Sequence, residues 1–492
     1  MSHSPYEYDL VGVGLGPFNL SLAALLEEHR LKNADARETS PKALFLEARA
    51  GFDWHPGMIL PGTTLQVPFL ADLVTMAAPT SRFSFLNYLH EHGRLYNFYF
   101  YENFKIFRKE YNQYCQWVSK NLESTRFGAR VTDVRPEHGS GAHDSEGYRV
   151  FYTDSGGHTH SVTARHIVLG YGTRPTVPPC AREISEPGVF HTAAFADNRH
   201  RLSGARRVVV IGSGQSAGEC ALEILRTAPE VELHWYTRGQ GFLPMEYSKL
   251  GLEYFSPEYI DYFHSLPRES RDRVRSGQDL FYKGISGDTI AEIYDALYER
   301  SLDPEASRPR LMAGVELCDL RANTDAASEA AHAYQLELRH REEGAAFDDQ
   351  ADLVILGTGY EHALPDFLDN LLPALAVDEL DRLLISRDYR ALLADSENEA
   401  REERSGGEDS ADRRRSNIFI QNGEIHTHGI GAPDLGLGAY RAAMIANALI
   451  GTEHYRIRDK NVYQHFGLSG MRAAEARSSG ANDPAQKQGS VR

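Results

Sequence analysis

An α/β protein with two parallel sheets, each leading into a glycine-rich turn, is what this sequence predicts. Short apolar strands alternate with helical runs along most of the chain. Two of those strands, YDLVGV at 8–13 and VVVI at 208–211, run into glycine turns that open helices. Two more, HIVL at 166–169 and LVIL at 353–356, run into GYGTRP and GTGY, where the chain passes between units. At 492 residues and roughly 150 residues per domain, about three units are expected.

The first turn is Gly12-Val-Gly14-Leu-Gly16-Pro17-Phe-Asn19. Glycine is needed there for positive φ and where a pyrophosphate must lie against the backbone. The helix start then offers free N–H groups and partial positive charge. Pro17 replaces the usual third glycine and is well tolerated at a helix start. Glu47 ends the next strand, ALFLE at 43–47, where it can accept from a ribose hydroxyl. The second turn is Gly212-Ser-Gly214-Gln215-Ser216-Ala217. The strand after it ends at Thr237-Arg238, with no acid. A 2′-phosphate favours a guanidinium there, so this turn reads as the NADPH site with Arg238 on the phosphate. The plain alternative is that Arg238 is a solvated strand-end residue. Two such sites in one chain describe a flavoprotein with two Rossmann-like domains, FAD in the first and NADPH in the second.

The expected boundaries are residues 1–175 for the first part of the FAD domain and 185–350 for the NADPH domain. A mainly helical substrate region is inserted at about 245–310. Residues 351–455 form the second part of the FAD domain. Within it, the mixed-charge stretch at about 396–416 lacks the apolar content to pack and is expected to be a disordered insertion. Residues 137–146 read as a hairpin tip and 478–492 as a flexible tail.

A formal charge of −17 disfavours nucleic acid and anionic membranes as partners. Cys115, Cys180, Cys220 and Cys318 form no CxxC pair, which argues against zinc and against a redox dithiol; reduced, packed thiols are expected. The apolar run at 11–26 is preceded by no Lys or Arg and is broken by glycine and proline, so it is not a signal segment. A soluble, cytoplasmic protein is expected. His426 and His428 would share a face on a strand, but no Cys or acid stands at ligand spacing, so no metal is assigned. Without a dithiol, the natural use of NADPH plus flavin is oxygen activation.

Five blocks carry a resemblance: YDLVGVGLGPFNLSLAALLE, FDWHPGMILPGTTLQVPFLADLVTMAAPTSRFSFLNYL, VVVIGSGQSAGECALEIL, DLVILGTGY and HTHGIGAPDLGLGAYRAAMIANALIG. Together they resemble the flavin-dependent N-hydroxylating monooxygenases of siderophore biosynthesis, which act on lysine, ornithine or small diamines. The resemblance spans about residues 8–451. It implies NADPH-driven reduction of FAD, capture of O2 as a C4a-hydroperoxyflavin, and attack on it by a neutral primary amine. It places Trp54, His55, Met58 and Gln66 around the isoalloxazine, with Gln66 positioning the flavin or cofactor amide. Core packing is the plain alternative for Trp54 and Met58. Gly359 and Tyr360 join the cofactor set, and Phe69, Ala71, Glu246, Leu252, Asp434 and Leu435 the substrate set. Segment 429–440 is expected to close over both. No triad is expected. A homo-oligomer, dimer or tetramer, is.

The informative departure is Ala71. The ornithine enzymes resembled here carry FLKDL where this chain reads FLADL at 69–73. Their lysine pairs with the α-carboxylate of the substrate. An ungapped match places Leu252 where they have a second contact, an asparagine. A buried carboxylate left without partners costs several kcal/mol. A substrate without that carboxylate is therefore favoured: a diamine, cadaverine or putrescine. Glu246 is a candidate for its distal ammonium. Lysine or ornithine remains the alternative if Lys249 or Lys283 supplies the cation. Other flavin monooxygenases of the same plan, and a non-catalytic flavin- and NADPH-binding protein, are the competing classes.

Overall fold

The Tyr8–Val13 strand is closed in on both faces, with Leu10 and Val11 fully buried. That is what a near-continuous apolar run in the middle of a parallel sheet requires. The computed structural model describes residues 5–32, 40–137, 147–184, 186–323, 332–394, 415–458, 460–468 and 471. The expected hairpin tip beyond Glu137, the charged insertion up to 414 and the tail at 478–492 lie outside the described residues.

In the outer sheet, Ala43–Leu46 and Thr159–Leu169 flank Tyr8–Val13 in parallel, with Val11 opposite Leu44 and Ile167. Arg415–Ile420 adds in parallel beyond Thr159–Leu169, and Thr125–Arg126 beyond Ala43–Leu46. Two antiparallel strands, Ala129–Glu137 and Gly147–Asp154, extend from Thr159–Leu169. The helix Pro17–Lys32 leaves the first turn and packs against the returning helix Gly438–Ile450. Arg415 and Ser416, expected in the insertion, belong to the strand. Ser416 is buried, and its hydroxyl donates to the Ala391 carbonyl.

The inner sheet runs Arg310–Met312, Glu232–Tyr236, Arg207–Ile211, Leu353–Leu356 and Val189–His191, all parallel. Leu353–Leu356 pairs directly with Arg207–Ile211. The strand completes the inner sheet, and the GTGY turn that follows it begins at Gly357. A three-stranded antiparallel sheet, Val315–Ala322, Tyr334–His340 and Ala346–Ala351, covers one face of it.

The expected helical region is present as Lys249–Leu252, Pro257–Ser265, Arg268–Ser276 and Gly287–Ser301. Ser248, Ser256 and Ser286 each accept a backbone N–H at the start of one of these helices. Tyr259 and Phe263 of this region pack with Ile430 of the outer unit. The region therefore bridges the two units instead of standing off the inner one.

Candidate active site

The glycines of the two turns differ in what surrounds them. Gly14 has φ +81°, and a Cβ there would meet the Gly170 carbonyl oxygen at 2.5 Å. A Cβ on Gly12 would strike the Phe45 ring at 2.1 Å. Gly16, by contrast, has nothing within 4 Å. The second turn repeats the arrangement. Gly212 has φ +124° and no room before the Gly357 oxygen at 2.1 Å, whereas Gly214 meets only the Lys283 oxygen at 3.7 Å. In the first turn Gly12 and Gly14 are closed and Gly16 is open; in the second Gly212 is closed and Gly214 is open. Neither following helix carries an acid in its first turn. These are cradles that fit two pyrophosphates.

Glu47 lies over the first turn. Its Oε2 accepts from Leu15 N–H at 2.8 Å and its Oε1 from Arg49 N–H at 2.9 Å. Each oxygen keeps a further lone pair for a hydroxyl. Arg238 is exposed at its strand end, and among the described residues it pairs with no acid. The Arg341 guanidinium reaches its carbonyl at 3.2 Å. Arg238→Ala is expected to weaken NADPH by about 1.5–3 kcal/mol, the range for a charge-assisted contact, and NADH little. Equal loss for both coenzymes in a binding titration would remove Arg238 from the phosphate role.

Some motif residues are spent within the protein. Asn19 Nδ2 donates to the Gly14 carbonyl at 2.7 Å, and its Oδ1 accepts from Gln421 Nε2 at 2.7 Å. Asn19 thus braces the turn from behind instead of facing a cofactor. The Gln215 amide bonds Glu219, Thr289 and Ser286 N–H, tying its helix to the helical region. Ser216 Oγ accepts from Thr192, and Ala217 packs under Gly357. Pro17 opens the helix as its first residue.

A group of rings gathers around His55. His55 is in the left-handed region (φ 49°) and edges against Trp54 at 4.8 Å and Tyr360 at 5.8 Å. Trp54 rests on Tyr111 at 5.2 Å. His191 meets Tyr360 at 5.1 Å, and its Nε2 bonds the Gly359 carbonyl. His55 is exposed at its surface although protein surrounds most of it. Desolvation, then Arg108 and Arg49, bring its pKa down to about 4, so the ring is neutral at physiological pH. Met58 is buried in the inner core, as its packing alternative foresaw. Its carbonyl accepts from Arg108, whose guanidinium pairs with Glu219 through two 2.8 Å hydrogen bonds.

On the substrate side, Gln66 donates to the Thr64 carbonyl at 3.1 Å. Phe69 packs on Phe85, Phe98 and Phe104. Ala71 is buried, and a Cβ on Gly436 would lie 3.9 Å from its own. Asp434, Leu435 and Gly436 therefore sit against the Phe69–Ala71 segment. Burial pushes the Asp434 carboxyl up to about 6, while Leu437 and Gly436 N–H groups oppose that rise. The charge on Asp434 also contributes to raising the Tyr247 hydroxyl, after burial. Glu246 and Leu252 are both exposed. Glu246 accepts Ser248 N–H at 2.7 Å, and Leu252 is 42 % exposed on a short helix. Lys283 is exposed and held by Asp279 at 2.7 Å, and Lys249 is exposed. His426 and His428 lie on the helix Ile425–His428, not on a strand. His426 bonds the Leu383 carbonyl, and the buried His428 stacks on Tyr389. Among the described residues no group of three or more His, Cys, Asp or Glu could hold a metal ion.

Two polar residues that sequence reasoning passed over close the flavin side. Gln421 Oε1 and Asn422 Oδ1 are buried without a hydrogen-bond partner, just past Arg415–Ile420 and beside the first turn. Such orphans fit a bound polar group. The signal was present as QN directly after the apolar NIFI.

Two nucleotide cradles, an acid over the first, a cation at the second and a cluster of aromatic rings define a flavin- and NADPH-dependent monooxygenase fold and site. The L-lysine 6-monooxygenase/L-ornithine 5-monooxygenase family model matches residues 6–362, and the chain belongs to that family. It is 43% identical to the rhizobactin siderophore biosynthesis protein RhbE of Rhizobium meliloti over 96% of this chain and 98% of that one. A putrescine N-hydroxylase of Shewanella oneidensis is 40% identical over 93% of this chain and 84% of its own length. The FAD-bound cadaverine monooxygenase of desferrioxamine biosynthesis from Erwinia amylovora superposes with a TM-score of 0.81 at 36% identity, covering 94% of this chain and 98% of that one.

Proposed function

We propose that the protein N-hydroxylates one primary amine of a diamine, cadaverine or putrescine, using FAD, NADPH and O2, in hydroxamate siderophore biosynthesis. The observation that carries the choice of amine is Ala71 itself, an uncharged residue buried against the 434–436 segment. The names borne by the relatives support the same reading.

Bound FAD, reduced by NADPH, supplies the oxidising equivalent from O2. The chain's own residues do the remainder. The open backbone at Gly16 and Gly214 receives the two pyrophosphates, Glu47 the ribose, and Arg238 the 2′-phosphate. Trp54, His55 and Tyr360 line the site and exclude water from it. An alkylamine has a free pKa of about 10.4, and desolvation lowers it toward the neutral, nucleophilic form. A neutral His55 adds no repulsion to that amine and offers one hydrogen bond. Gln66 is placed to orient the reacting groups.

Among the described residues no helix is long and apolar enough to cross a membrane. A cytoplasmic location belongs to the proposal. So does a homo-oligomer, supported by the helix Leu95–Tyr101, which has no buried residue and exposes Tyr96, Tyr99 and Phe100.

The reading is tested by hydroxylamine formation across putrescine, cadaverine, lysine and ornithine. The diamines should couple NADPH oxidation to product, and the amino acids should yield peroxide or no reaction. Ala71→Lys should lower diamine kcat/KM by tenfold or more, about 1.4 kcal/mol, through like-charge repulsion and a new partner for Asp434. A higher kcat/KM of the wild type for lysine or ornithine would overturn the diamine reading.

A further inference from the structure

The proposed reaction leaves one charge without a partner. A diamine whose near amine is neutral and reacting still carries an ammonium at its far end. In an apolar site that cation must be met by an acid or by several carbonyls.

We propose that Asp434 is the residue that holds this distal ammonium, and that it sets the preference for diamines over amino acids. The inference rests on the diamine reading above. Three segments distant in sequence meet at the turn that carries this carboxylate, its own segment being one of them. Ala71 comes from the outer unit, Tyr247 from the edge of the helical region, and Gly436 from the segment that returns over the first helix. The carboxylate is fixed from one side only. Leu437 N–H donates to Oδ1 at 3.2 Å, which makes Asp434 the cap of the Leu435–Leu437 turn. Among the described residues no Lys, Arg or His forms an ion pair with it.

An acid held by backbone N–H groups, half-buried and with no cation paired to it among the described residues, is less well solvated as an anion than a free one. Its carboxyl accordingly lies well above the ordinary aspartate range. An arriving ammonium relieves that cost and gains a charge-assisted hydrogen bond. Glu246, by contrast, is already solvated and gains little from such a partner. The same carboxylate acts against amino acids. Lysine or ornithine would bring its α-carboxylate into the space where Ala71 offers no cation and Asp434 repels. Ala71 and Asp434 thus form one device: the first removes the partner an amino acid needs, and the second supplies the partner a diamine needs.

The experiment compares wild type with Asp434→Asn on a diamine and on its monoamine analogue, cadaverine against pentylamine or putrescine against butylamine. Asparagine retains the oxygen that caps the turn and loses only the charge. Asp434→Ser, which can also cap, serves if the first variant folds poorly. Flavin content and NADPH affinity should match wild type. KM for the diamine should rise roughly ten- to hundredfold, the fold-change of one lost charge-assisted bond. The monoamine, scored by KM or by its inhibition constant, should move less than threefold. Equal loss for diamine and monoamine, or an unchanged diamine KM at full flavin content, overturns the role of Asp434. Failure of the underlying reading is seen separately, in the wild type alone, as a preference for lysine or ornithine.

Discussion

Gly14→Ala should yield a protein that purifies without its yellow colour. An L-residue held at φ +81° costs roughly 1–2 kcal/mol. Forcing a methyl group against packed atoms adds a further 1–3 kcal/mol. The atom it meets is the Gly170 carbonyl oxygen, 2.5 Å away. That oxygen cannot swing aside, because it belongs to backbone directly after Thr159–Leu169, a strand paired with Tyr8–Val13 itself. Relief requires prying those strands apart at the place where a pyrophosphate would rest. Gly16→Ala is the matched control. Nothing lies within 4 Å of its Cβ, so the empty fold should tolerate it, and the methyl should intrude only on bound nucleotide. Flavin-to-protein absorbance and the melting temperature of the flavin-free protein separate the two cases. Gly14→Ala should lower both, and Gly16→Ala only the first. Wild-type flavin content in Gly14→Ala would refute this account of the turn.

The second large effect is expected at Arg108. Its guanidinium spans from the Met58 carbonyl, in the ring-lined block, to Glu219 on the helix that follows the second turn. Both side chains are nearly buried, at 9 % and 4 % exposure. Arg108→Ala strands a buried carboxylate, and such losses run to about 3–5 kcal/mol. Gln215 still donates to Glu219 in the variant, which places the loss toward the lower end. Replacing both partners, as Arg108→Met with Glu219→Leu, should recover most of the stability, since no buried charge is left alone. Denaturant titration of the single and double variants gives the coupling directly. If Arg108→Ala costs under 1 kcal/mol, the pair is not holding the units in register. His55 offers a second readout, because removing Arg108 takes away one of the causes that lower its pKa.

What the sequence made legible was local. A glycine turn with its strand, helix and terminal acid lies within about forty residues, and each part has a steric or electrostatic reason to be there. Arg108 and Glu219 are 111 positions apart and form a pair only through the fold. The strand Leu353–Leu356 shows the same limit. Four apolar residues announce burial on both faces, but nothing in LVIL says which sheet it joins. The hydrogen bonds of Asn19 and Gln215 were illegible for another reason. Both residues occupy motif positions, yet their amides are consumed by neighbouring backbone and side chains. His426 and His428 have strand spacing, whereas Thr427 between them caps back onto Glu424 within a helical turn. Asp434 was legible as a site residue without a role. Its meaning depends on Ala71 and Tyr247 being brought beside it.

The outer sheet is assembled from the two ends of the chain, and the inner one from a single continuous stretch between Val189 and Leu356. During synthesis these two sheets become complete at different times. Every strand of the inner sheet has been made once Leu356 leaves the ribosome. Tyr8–Val13 and Thr159–Leu169 are made far earlier, but the edge at Ile167–Leu169 stays unpaired until Arg415–Ile420 emerges. The apolar face of the first helix likewise stays uncovered until Gly438–Ile450 follows. The earliest part of the chain is therefore the last to be finished, and it waits with an open strand edge and a bare helix, the two features that most invite aggregation. A nascent chain stalled with Leu356 outside the ribosome but Arg415 not yet made should accordingly yield a protease-resistant inner unit and a digestible outer one.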